Sequence, residues 1–171
     1  MASQTSWLAR RNRLQSLAFA AIAAIALAVT LLANQRKSHG DAKLGARILQ
    51  DLRQLQGRPY HLTDAASFAW ESLHIFTPYT DTASIDRQLG FHWADASHVD
   101  LRDSDNAVVL AFVHDRSVVR YVKIERGHAD FAPAHGNAAL RFTREAAVFR
   151  ARNQDGWTYV EPVLTKAAVP P

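Results

Sequence analysis

Apolar residues fall into several distinct patterns along the chain, and each pattern predicts a different element. Residues 14–33 (LQSLAFAAIAAIALAVTLLA) form an uncharged apolar run in which only Gln15, Ser16 and Thr30 are polar. A helix of that length, rising about 1.5 Å per residue, reaches roughly 30 Å, the hydrocarbon thickness of a bilayer. It also satisfies its own backbone hydrogen bonds in lipid. A single transmembrane helix is expected there. Downstream, Leu44, Ile48, Leu52 and Leu55 recur at helical spacing across 41–56, with Asp41 at the start and Gly57 as a stop. Residues 68–76 alternate Phe68, Trp70, Ser72, His74 and Phe76 against Ala69, Glu71, Leu73 and Ile75, which predicts a strand with Trp70 and Phe76 on one face. The continuous run 107–113 (AVVLAFV) reads as the most buried strand. Residues 118–126 return as its partner, and 145–152 with 157–162 form a second hairpin over Asn153-Gln154-Asp155-Gly156. A short helix is expected over 83–89, capped by Asp81 and ended by Gly90.

These elements predict an α+β chain: one N-terminal transmembrane helix, then an antiparallel sheet of about five strands with one or two packed helices. The organisation follows as a basic cytoplasmic leader (1–13), the span (14–33), a juxtamembrane linker with an amphipathic helix (34–60), an extracytoplasmic domain (61–164) and a tail (165–171). The continuation of the apolar run beyond Ala26-Leu27-Ala28 favours retention as a signal anchor over cleavage as a signal peptide. The expected address is the inner membrane of a bacterium, single-pass, with a periplasmic C-terminal domain. Ala20, Ala24 and Ala28 repeat every four residues, a spacing that suits homodimerisation within the membrane.

Charge changes this picture in one respect. The formal net charge is +4, but Arg10, Arg11 and Arg13 precede the apolar run with no acid among residues 1–33, so the domain itself carries about one positive unit. Such a near-neutral domain argues against nucleic acid as a partner. Within it, 81–105 is acidic (Asp81, Asp86, Asp95, Asp100, Asp103, Asp105 against Arg87 and Arg102) and 116–152 is basic. If the two hairpins lie side by side, Arg120, Arg150 and Arg152 share a basic face that would dock an acidic protein or an anionic envelope component. The competing reading is that the acidic and basic regions pair with each other.

Candidate chemistry is sparse. There is no cysteine, hence no disulfide and no thiolate. No nucleophile elbow, zinc helix or phosphate loop is present, so no cofactor and no catalytic residue is expected. His92-x-x-Asp95-x-x-His98-x-Asp100 gathers imidazoles and carboxylates that could ligate a divalent metal, and a metal-dependent hydrolytic role is the alternative to a binding domain. His128, Asp130 and His135 form a sparser second group.

The stretch Trp70-Glu71-x-Leu73-x-Ile75-Phe76-x-Pro78-Tyr79-Thr80, continued by Ile85, Leu89 and Gly90, resembles a pattern in small membrane-anchored or lipoprotein-type bacterial proteins of unknown function. The likeness covers roughly residues 65–160, with Glu71 where those proteins usually carry Asp. It implies an architecture and a location and supplies no catalytic residue. Read physically, Pro78 stiffens the exit from the strand and aims Tyr79, so that Tyr79 and Glu71 could form a binding notch at a strand end. A structural aromatic corner is the plainer reading.

Overall fold

The computed structural model describes residues 39–99, 101–131 and 140–163, all within the second of two compact units, 37–171. The first helix, α1 (Ala42–Gln54), starts at Asp41, whose carboxylate accepts from the Leu44 amide at 2.8 Å. Its buried stripe is Leu44, Gly45, Ile48 and Leu52. Gly45 permits close packing on the sheet, because a Cβ there would lie 2.8 Å from a Val122 methyl group.

The larger sheet has the order β1-β5-β4-β3-β6, built from β1 (His39–Gly40), β3 (Ser72–Phe76), β4 (Ala107–His114), β5 (Ser117–Glu125) and β6 (Leu140–Thr143). β1 runs parallel to β5, and every other pairing is antiparallel. The smaller sheet has the order β2-β7-β8, from β2 (Pro59–His61), β7 (Val148–Gln154) and β8 (Trp157–Pro162). Three further short helices are α2 (Leu62–Ala65), α3 (Thr82–Leu89) and α4 (Ala96–Val99).

Two apolar cores follow from the alternation of β4. Val108, Leu110 and Phe112 face a core shared with α1, Tyr60, Phe149 and Val160, so α1 and the small sheet cover one face of the large one. Ala107, Val109, Ala111 and Val113 face the other core, closed by Phe76, Ile85 of α3, Trp93 and the α4 residues Ala96 and Val99. Arg126 ties the small sheet to the end of β5. Its guanidinium grips Asp130 at both oxygens (3.0 and 2.8 Å) and also donates to the Asp105 carbonyl, while the Asp130 backbone bridges Thr158 and Val160 of β8. The bond to Asp130 holds the Arg126 pKa above its ordinary value.

The expected architecture is corrected in three places. First, the second hairpin does not join a single sheet but forms its own with β2, while the two-residue β1 adds a parallel edge to the other. Segments as short as β1, β2 and β6 carry too few alternations to register as strands in the sequence. Second, among the described residues no helix is long and apolar enough to cross a membrane; α1, with 13 residues, is short of the roughly 20 needed. The stretch 14–33, with Ala20, Ala24 and Ala28, lies outside the described residues. The transmembrane and signal-anchor architecture, and the single-pass inner-membrane address drawn from it, therefore have no support in the structure. Third, Trp70 and Phe76 sit in opposite cores. β3 begins only at Ser72, so its alternation does not extend back to Trp70, which instead donates from Nε1 to the Ala66 carbonyl and meets Phe112 edge-on.

Candidate functional site

The small sheet presents one face to the core and one to solvent, and the pairing register shows what stands on each. Tyr60, Phe149, Ala151 and Val160 point inward and are buried. The other parity points outward. There Arg150 stands opposite Pro59 on one side and Glu161 on the other, Arg152 opposite Tyr159, and Gln154 opposite Trp157. Arg152 reaches Glu161 at 3.1 Å. Among the described residues Arg150 makes no ion pair. Trp157 is 44% exposed and, among the described residues, is one of two large exposed apolar side chains, the other being Tyr79. Trp157 and Tyr159 are two residues apart on one strand, so their Cα atoms lie about 7 Å apart on the same face. A tight turn at Asp155 and Gly156, both at positive φ, sets this register.

An aromatic ring left in water on a flat sheet is available for stacking, and a guanidinium offers a planar fork to a carboxylate. The outer face therefore combines stacking surface with anion recognition.

The other residues singled out in the sequence scatter over the fold. Arg120 belongs to the larger sheet, pairs with Asp41 and lies over the Phe68 ring, so it does not share a face with Arg150 and Arg152. Three cations of the basic region bond to backbone carbonyls of the acidic one: Arg116 to Gly90, Lys123 to Val99 and Arg126 to Asp105. Glu71 and Tyr79 flank opposite ends of β3, whose five extended residues span about 3.3 Å each, and so form no common notch. Tyr79 is 63% exposed at φ 63°, its amide held by the Leu101 carbonyl at 2.7 Å.

The proposed metal loop is not assembled. His92 turns to Asp86 at 2.7 Å, His98 lies 3.8 Å from Asp95, and Asp100 is outside the described residues. Asp86 also accepts from the Trp93 amide, so the His92 contact belongs to the corner that seats Trp93 in the core. Among the described residues, Glu71, His114 and Asp115 form the group with metal-ligand character, a grouping that their separation of more than 40 residues hides in the sequence. His135 also lies outside the described residues, and Asp130 is taken up by Arg126.

One further histidine is inside the fold. His74 of β3 is 4% exposed, stacked near Phe76 and opposite Arg141 of β6. Burial, reinforced by the Arg141 charge, pushes its pKa down to about 4, so it is neutral at physiological pH. No protein-family model, curated protein or solved structure matches the chain.

Proposed function

We propose that the chain is a non-enzymatic binding domain whose outer small-sheet face takes an anionic polysaccharide. The observation that carries this reading is Trp157, exposed on a strand beside Tyr159 and across the ladder from an arginine-bearing strand. Sugar rings offer flat C–H faces to the two aromatics, and uronate carboxylates offer the planar acceptor that Arg150 and Arg152 match. Glu161 tempers the charge of the face, which favours a polymer of moderate charge density over a polyphosphate.

The test is titration of the full chain with polygalacturonate, read by Trp fluorescence and calorimetry, with dextran, polyglutamate and an oligo-dT strand in parallel. Saturable binding of the polyuronate alone, weakened at least tenfold by Trp157→Ala and by Arg150→Glu, is expected. Binding of dextran or oligo-dT with equal affinity would overturn the reading. So would polyuronate binding that neither substitution alters, or a preference for polyglutamate, which would make the partner an acidic protein.

A further inference from the structure

We infer that Glu71, His114 and Asp115 together form a site for a divalent transition cation of the zinc class. They come from two neighbouring strand ends, Glu71 just before β3 and His114 with Asp115 at the β4–β5 turn. One nitrogen or oxygen from each residue lies within 4.8 Å of the others. The His114 Nδ1 is 3.2 Å from a Glu71 carboxylate oxygen, and its Nε2 is 3.5 Å from one of Asp115. Imidazole with two carboxylates is a donor set that suits zinc, cobalt or manganese, with water completing the shell.

A second observation points the same way. The His114 Nδ1 is shut off from solvent yet makes no hydrogen bond, although a Glu71 carboxylate oxygen lies 3.2 Å away. A buried polar atom without a partner is costly, and a cation held by Nδ1 and a Glu71 oxygen would supply one, with Asp115, which faces Nε2, turning its side chain to join them. The backbone beneath is fixed: the Glu71 amide donates to Val113 at 2.8 Å and its carbonyl accepts from Arg144 at 2.9 Å. The neighbouring cations face elsewhere, Arg144 to the Phe68 and Trp70 carbonyls and Arg116 to that of Gly90. Zinc bonds of about 2.0–2.1 Å bring ligand atoms roughly 3.4 Å apart in a tetrahedron. The Glu71 side chain, 58% exposed, can swing to close the remaining gap.

Zinc titrated into the purified full chain should bind at one ion per chain, read by calorimetry, and cobalt should give a visible d–d band. His114→Gln and Glu71→Gln should each weaken binding at least tenfold, while His92→Gln and His98→Gln leave it unchanged. Zinc should also raise Tm in the unsubstituted chain and not in Asp115→Asn, a change at an exposed side chain that the fold tolerates. Absence of saturable uptake at millimolar zinc would overturn the site. Uptake lost with His98→Gln but kept with Glu71→Gln and Asp115→Asn would do so equally.

Discussion

The two sheets of this domain share a core but have opposite relations to water. In the larger sheet every residue of β4 from Ala107 to Val113 is buried, and both faces are packed. In the smaller sheet β7 and β8 bury one parity and expose the other, and the exposed parity carries Trp157, Tyr159 and two arginines. Between its packed faces such a sheet serves as scaffold, because the side chains there are spent on packing, and what it leaves for binding lies at strand ends such as His114. A sheet buried on one side has a face left over. The larger sheet should therefore answer substitution with lost stability, and the outer face of the smaller one with lost binding.

The largest expected effect is at the centre of the scaffold. Phe112 meets both Phe68 and Trp70 edge-on at 5.3 Å and is fully buried. Phe112→Ala should cost about 3–5 kcal/mol in urea unfolding through the cavity it leaves, a large share of a typical domain's stability. Next is the clamp between the sheets. Arg126→Ala would leave the Asp130 carboxylate, 3% exposed, buried without its guanidinium, at a cost of about 3 kcal/mol. Arg126→Lys should recover only part of this, since an ammonium cannot grip both oxygens.

A pH titration sharpens the same contrast. His74 has a folded pKa near 4, below the ordinary imidazole value, so protons bind preferentially to the unfolded chain in between. Stability should be at its plateau above about pH 6.5 and fall as pH drops toward 4, by no more than about 3 kcal/mol from this group. Urea midpoints measured from pH 7.5 to 4 would show the slope, and His74→Phe should flatten it. Carboxylates held below their ordinary range work in the same direction but lower on the scale. Asp41, lowered chiefly by the Leu44 amide and then by Arg120, loses its contribution only as pH falls through its own folded value.

Sequence patterns revealed the scaffold better than the site, for a physical reason. A run such as 107–113 or a stripe such as Leu44, Ile48 and Leu52 records burial directly, because burial requires apolar side chains at each repeat. Asp155-Gly156 likewise marked its turn, since both positions need positive φ. The Asp115-Arg116 turn also has positive φ at both positions, and there the polar break between two apolar runs, not a glycine, marked it. Partition between sheets depends on long-range pairing, which local alternation does not encode. Hence the second hairpin looked like a continuation of the first sheet, and Arg120 looked like a neighbour of Arg150. Arg150 and Arg152 were visible as candidates through charge. Trp157 and Tyr159 were not, since an aromatic in a strand is core unless the register shows it facing water. Glu71 was noted for a different partner than His114, from which 42 intervening residues separate it. The apolar stretch 14–33 shows the same limit from the other side: hydropathy suggests a solvent, but no described element bears it out.

The smallest expected stability change is the most informative for the comparison. Trp157 is 44% exposed at the start of β8, where it faces Gln154 across the ladder and joins neither core. Trp157→Ala removes a ring that is only partly covered and lies outside both cores, so the unfolding free energy should change by less than about 1 kcal/mol. The same change should remove most of the polyuronate affinity, because the ring is the part of the face that stacks. Arg152→Ala separates the remaining terms. Its contact with Glu161 is exposed and contributes at most about 1 kcal/mol to stability, so a loss of binding there reports anion recognition and not folding. If Trp157→Ala instead unfolds the domain by several kcal/mol, the outer face is structural and the division between the two sheets is wrong. If neither substitution touches stability or binding, the two sheets differ in burial alone and the polymer lies elsewhere.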